Sequence, residues 1–218
     1  QYGRLTKSAI PITIRDEKTV SERVHVGSMR GVAIHGAIAE ALIEKGEPNE
    51  YTYELNDFDV FDTAPEYLPK EFDQYIGMLL KDVPSPEPAE KNYAEHYGTE
   101  FRRVIEESGW HPKFYWGSEL YLSGKMDEAI RIALERRADI RRIYKETSGS
   151  QKGEDWYPLS VLCEQCKKIT DSRILSFDGI VVEYVCKCGK RSNVSPFGGN
   201  AKLPWKVEWA AKWKVMQV

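Results

Sequence analysis

The sequence predicts an α/β fold, a parallel sheet carrying a cysteine-bearing β insertion late in the chain. Two observations predict the sheet and a third the insertion. An apolar, β-branched run, Ala9-Ile-Pro-Ile-Thr-Ile14, gives way through a loop to a long apolar helix, and an alternating run follows at Glu50-Tyr-Thr-Tyr-Glu-Leu55. Strand, helix, strand at this spacing is a βαβ unit, which requires parallel strands and a right-handed crossover. Farther on, Cys163/Cys166 and Cys186/Cys188 flank Asp178-Gly179 between two β-rich runs, a strong hairpin signal.

The loop between the first strand and its helix, Thr19 to Gly31, is the stretch around which the chain is organised. Its His25-Val-Gly-Ser28 turn aims a ring nitrogen and backbone N–H groups at the positive end of a helix dipole, where a phosphate is favoured. Gly27 leaves room for a flat nucleotide across the turn. On this motif alone, a histidine that is an ordinary helix cap or surface residue is the more frequent case. Ser28 is the expected N-cap; Met29, Val32, Ala33, Ala37, Ile38, Ala41 and Leu42 recur at helical spacing, and Gly46 is the stop. Ile34, Ala39 and Ile43 widen the apolar face, which predicts a helix with little exposed.

The second strand runs into Asn56-Asp57-Phe58-Asp59. Ligands of parallel sheets collect at the carboxyl ends of strands, so these acids and the His25 turn share one rim; Asn and Asp also simply end strands. Lys70–Leu80 is an expected helix, Pro84, Pro86 and Pro88 impose an extended loop, and Lys91–Ser108 returns to helix, closed by Gly109. His96 beside that helix's aromatic stripe reads as structural. Lys113-Phe-Tyr-Trp116 is the next strand, and Lys125 to about Glu146 one long helix with Arg131, Arg136, Arg137, Arg141 and Arg142 mostly outside. Thr147–Gly153 is a polar linker.

The cysteine pattern is the most specific local signal. Zinc takes four soft ligands in a tetrahedron, and two cysteine pairs joined by a hairpin supply them, although the second pair is Cys-x-Cys. With all four ligands from protein, such a site would be closed and structural; free thiols or disulfides are the alternative. The final helix carries Trp205, Trp209 and Trp213 on one face, for core packing or as a pocket wall.

Composition bounds the rest. The 218 residues suffice for one core plus a small module, and 41% hydrophobic with 30% charged is ordinary globular usage. A net charge of -3 argues against a nucleic-acid coat protein, yet Cys163–Val218 carries ten Lys/Arg against five Asp/Glu, leaving 21 against 29 elsewhere. No run is read as a membrane span and no secretory or lipidation signal appears, so a cytoplasmic protein without a membrane partner is expected.

Together these segments resemble the class I lysyl-tRNA synthetases. His25-Val-Gly-Ser28 sits where that family carries its His-Ile-Gly signature, and Asn56-Asp-Phe-Asp59 is similar to its acidic segment. Asn92-Tyr-Ala-Glu-His96, Ser118-Glu-Leu-Tyr121, Asp155-Trp-Tyr-Pro158 and Lys202-Leu-Pro-Trp-Lys-Val-Glu-Trp-Ala-Ala-Lys-Trp213 follow in family order. The resemblance implies a Rossmann-like class I aminoacyl-tRNA synthetase catalytic domain with an inserted zinc ribbon, divided into a nucleotide-binding core at 1–153, the ribbon at 154–200 and a return to the core at 201–218. It implies a ligase that activates lysine with ATP and Mg²⁺ and transfers it to tRNA(Lys). ATP would lie on His25, Val26, Gly27 and Ser28, with His25, Gly27 and Ser28 catalytic. Lysine would lie among Ser21, Asp57, Asp59 and Trp209, and structural Zn²⁺ on Cys163, Cys166, Cys186 and Cys188.

Two departures stand out. Glu22 replaces the glycine that usually precedes the signature, adding negative charge beside a phosphate site. The second signature loop and the anticodon-reading domain would lie past Val218, so this piece is expected to charge tRNA poorly. The alternatives are a non-catalytic RNA-binding or regulatory paralogue, and another nucleotidyl transferase.

Overall fold

The structure, a computed structural model, describes residues 11–217; Ala9 and Ile10 of the expected first strand fall outside them. Strand β1 (Ile12–Thr19) leads through a 3-10 turn (Val26–Ser28) into helix α1 (Met29–Glu44), and β2 (Asn49–Asn56) follows. Helix α2 (Tyr93–Glu107) connects to β3 (Lys113–Trp116). The three strands form one parallel sheet in the order β1-β2-β3, with Asp16 opposite Tyr53, and Tyr53 opposite Phe114. This is the α/β, Rossmann-like arrangement that the βαβ spacing predicts. Among the described residues no strand pairs with the outer edge of β1.

β1 extends five residues past the expected Ile14, through Arg15-Asp-Glu-Lys-Thr19. An apolar-run criterion stops at the first charge; here Arg15, Asp16 and Glu17 are paired with other side chains, so the strand continues. Alternation sorts the sheet into two unlike faces. Tyr53, Leu55, Phe114 and Trp116 join Val32, Tyr97, Phe101 and Ile105 of α1 and α2 in an apolar core. Arg15, Glu17, Glu54 and Tyr115 occupy the opposite face.

Helix α1 is less buried than predicted. Only Val32, Gly36 and Ala39 are buried, and Ile34, Ile38 and Ile43 face outward. α1 shares this face of the sheet with α2 and packs through one stripe, so its extra apolar width stays uncovered. The Val26–Glu44 stretch is also long and apolar enough to cross a membrane by length and composition, which corrects the expectation that no run reaches that length.

Helices predicted at 70–80 and 125–146 need revision. Lys70–Tyr75 forms only a 3-10 helix, because Gly77 (φ +95°) turns the chain and Leu79 bridges to Val60. A short helix α3 (Gly117–Leu122), not expected, follows β3 directly, and the single long helix is two, α4 (Asp127–Glu135) and α5 (Arg137–Ser148). Arg136 breaks them with a non-helical backbone (φ -100°, ψ 23°). Asn92 caps α2 through its side chain, which accepts the Glu95 N–H at 2.9 Å.

The cysteine-bearing segment is framed by β4 (Ser160–Val161), which pairs with β8 (Ala201–Lys202). Between them β5 (Ser172–Phe177), β6 (Val182–Cys186) and β7 (Arg191–Val194) form an antiparallel sheet. Asp178 makes the β5–β6 turn, accepting the N–H groups of Ile180 and Val181 at 2.9 and 2.8 Å. β7 was not expected from the hairpin signal, since Arg191-Ser-Asn-Val194 has one apolar residue. Helix α6 (Trp205–Met216) then crosses the charged face of the parallel sheet.

Candidate active site

The carboxyl ends of β1, β2 and β3 present Thr19–Ser21, Asn56–Asp59 and Gly117–Ser118 along one rim, where a parallel sheet binds ligands. Asp57 is held there in a specific way. Its carboxylate accepts the backbone N–H and the hydroxyl of Ser118, both at 2.7 Å. Burial pushes the Asp57 carboxyl above its ordinary range, and the two Ser118 bonds oppose that shift. A cleft of about 360 Å³ opens beside it, with Lys81, Asn92, Glu95 and Trp116 among its walls. Sequence reasoning quoted Asn92 and Ser118 as family segments but gave neither a role. Their signal is spatial, because Ser118 lies 61 positions after Asp57, beyond α2 and β3.

Asp59 lies closer to β1. It accepts the Thr19 hydroxyl at 2.9 Å, and Lys202 approaches its other oxygen at 3.9 Å. Ser21 is fixed through its backbone, whose carbonyl accepts the Tyr93 hydroxyl at 2.7 Å.

The His25 turn is open to solvent, with the His25 side chain 59% exposed and Val26 more so. A Cβ on Gly27 would come within 3.0 Å of the His25 ring, so glycine lets the imidazole lie over the turn. Ser28 occupies the N-cap position without a capping bond, and its hydroxyl is buried with no partner. The 3-10 turn rotates that oxygen off the first-turn N–H groups, contrary to the expected cap. Glu22 stands 3.9 Å from His25 Nε2, on the same outward surface.

Trp209 belongs to a separate set of contacts. Its indole donates to Glu17 at 3.2 Å, and with Trp205 and Trp213 it forms an exposed ladder of rings 6.1 and 6.2 Å apart. The buried face of α6 is charged instead. Lys212 donates to Glu54 at 2.6 Å and lies within 3.5 and 3.6 Å of Glu17 and Glu208. Arg15 bonds both Glu17 and Glu54; Glu208 accepts from Lys202, and from Tyr121 at 2.8 Å. Burial would lower the Lys212 pKa, but Glu208, Glu54 and Glu17 outweigh it and raise the group above its ordinary value. The sequence hides this network, because its charges look like a solvated face.

At the insertion, the Sγ atoms of Cys163, Cys166, Cys186 and Cys188 all lie within 4.8 Å of one another, with Cys163–Cys188 at 3.7 Å and Cys166–Cys186 at 3.6 Å. Burial raises the thiol of Cys163, but the N–H groups of Cys166 and Gln165 outweigh it and hold it at about 6. Such a set could hold a single metal ion.

A family model described as tRNA synthetases class I (K) matches residues 6–218. The chain belongs to the class I (K) tRNA synthetases. Curated relatives include the lysine–tRNA ligase of Methanococcus maripaludis, 34% identical over 202 residues, which are 92% of this chain and 38% of the relative. The lysine–tRNA ligase of Methanosarcina barkeri is 35% identical over 92% of this chain and 37% of its own length. That of Archaeoglobus fulgidus is 35% identical over 91% and 40%. The chain thus spans about two fifths of the length of the relatives it matches.

Proposed function

We propose that this chain is the nucleotide-binding part of a lysine–tRNA ligase. The observation that carries the reading is the family match over residues 6–218, among relatives named lysine–tRNA ligase. In this reading lysine attacks the α-phosphate of ATP·Mg²⁺ in line through its carboxylate, and pyrophosphate leaves. A hydroxyl of the terminal tRNA ribose then attacks the lysyl carbonyl, and AMP leaves. Positioning and charge stabilisation supply most of the rate, since the protein forms no bond itself. His25, Val26, Gly27 and Ser28 bind the ATP phosphates, the exposed His25 imidazole and the backbone N–H groups of the turn being the groups that face solvent. Asp57 and Asp59 are the carboxylates for the lysine ammonium, with Ser21 near its carboxylate and Trp209 as a wall.

The cysteine set is assigned to zinc. A tetrahedral ion with Zn–S of about 2.3 Å separates its sulfurs by about 3.8 Å, close to the 3.6 and 3.7 Å pairs. Zinc here ties the hairpin together and leaves no open position for substrate. The division into a core at 1–153, a zinc ribbon at 154–200 and a return to the core at 201–218 is proposed on the same footing. Work in the cytoplasm follows from a role in translation.

Lysine-dependent ATP–pyrophosphate exchange by the complete gene product tests the reading: exchange with lysine and none with arginine or glutamate is expected. Exchange with another amino acid alone would make it a different nucleotidyl transferase. One observation favours a non-catalytic paralogue, namely Glu22 placed 3.9 Å from the His25 imidazole, where it would repel a phosphate. A like charge at about 4 Å in water costs about 1 kcal/mol. Glu22→Gly is therefore expected to tighten ATP binding about fivefold, read by titration calorimetry.

A further inference from the structure

We propose that the cleft between α5, the 149–159 linker and β5 seats an unpaired nucleotide of a single-stranded RNA. The cleft measures about 490 Å³ and is walled by Tyr144, Trp156 and Tyr157, with Lys152, Arg173 and Pro204 at its margins. It lies away from Asp57 and the His25 turn, and no part of the activation chemistry described above uses it. The proposal rests on the RNA partner inferred above for its biological ligand.

Three features select the ligand. The first is an aromatic platform: Tyr144 and Trp156 meet edge to face with centroids 5.6 Å apart, and both are only half-buried. The second is cations aimed at those rings. Lys152 Nζ lies 5.6 Å from both ring centroids, and Lys206 Nζ lies 5.8 Å from that of Tyr144. Arg137 stacks at 4.1 Å on Tyr157, and its Nη1 is buried without a hydrogen-bond partner. The third is the scarcity of opposing charge, since Asp155 is the one acid on the walls and Arg173 stands 3.5 Å from it.

Aromatic faces interleaved with flexible cations bind single strands, because a base stacks on the ring while the cation follows the backbone phosphate. Lys152 is exposed, so its long side chain can leave the rings for a phosphate when a base takes its place. A duplex cannot use this cleft, since its bases are already stacked on one another.

The test is fluorescence anisotropy of a labelled single-stranded RNA octamer titrated with the full chain, beside the same octamer as a duplex and heparin as a charge-only competitor. The single strand is expected to bind about tenfold or more tightly than the duplex. Trp156→Ala and Lys152→Glu should each weaken it about tenfold, while Trp156→Phe, which keeps a stacking face, retains most of the affinity. Lys152 is exposed, so its variant reports on binding even where Trp156→Ala lowers stability. Unchanged single-strand affinity in Lys152→Glu, equal losses for Trp156→Phe and Trp156→Ala, or equal binding of duplex and single strand would overturn the proposal. Lysine-dependent exchange by the complete gene product should not change in Lys152→Glu. Absence of exchange in the parent, with single-strand binding intact, counts against the ligase reading alone.

Discussion

Chelation of metal from the purified chain, or Cys163→Ser, should unfold the insertion and expose a large share of the core around it. Cys163 and Cys186 are buried in the same apolar cluster as Tyr184, Val182, Ile174, Met126 and Leu134. If the cysteines hold the proposed zinc, its loss would leave thiols packed at 3.6–3.7 Å with no ion to tie the hairpin ends together. Structural zinc in isolated fingers contributes apparent free energies of about 10–16 kcal/mol. Here α4 and β8 share the load, so a smaller but still large loss is expected, on the order of 5 kcal/mol. Thermal melts with and without chelator, with metal content read by mass spectrometry, check this. An unchanged melting temperature in metal-free protein would remove the structural role of the ion. Thiolate ligands must lose protons to bind metal, so the ion should also be released as the pH falls.

The second large effect is expected at Lys212. Lys212→Met leaves Glu54 and Glu208 buried with too few partners, and breaking a buried ion pair from one side costs about 3–5 kcal/mol. For a domain of this size that is a melting-temperature loss of roughly 10 °C. Adding Glu54→Gln should recover part of it, because one buried charge fewer is then unpaired. The pH dependence has a definite sign. Burial raises the Glu17 carboxyl, but Lys212 and Arg15 outweigh it and bring the group below its ordinary value of 4.5. A depressed carboxyl stabilises the fold above its unfolded-state value and loses that contribution as the pH falls through the folded value. Acid titration of the parent should therefore show a stability loss below about pH 4.5 that Glu17→Gln reduces.

The parallel sheet and the hairpin were legible because their signals are local. Alternation in Glu50–Leu55 and the Asp178-Gly179 turn need no tertiary context. The carboxylate partners of Lys212 were not legible. Glu17, Glu54 and Glu208 lie on β1, β2 and α6, as many as 195 residues from the lysine that joins them, and each resembles an ordinary surface acid. The same limit explains the tryptophan ladder. Its spacing of four predicts one helical face correctly, but not that this face points outward while Glu208 and Lys212 point in. α6 is seated both by Glu208 and Lys212 on the charges of the sheet and by Val207, Ala211 and Val215 against the neighbouring apolar core. At the rim, Asp57 was visible as a strand-end acid, whereas Ser118, which fixes it, depends on α3 beginning directly after β3.

The central claim is that the exposed His25 turn holds the phosphates of ATP for lysine activation. It is tested most directly by comparing His25→Ala with the parent in lysine-dependent ATP–pyrophosphate exchange by the complete gene product. The side chain is 59% exposed, so the variant should melt within about 1 kcal/mol of the parent while exchange falls about 100-fold or more. Equal exchange rates in the two proteins would contradict the claim.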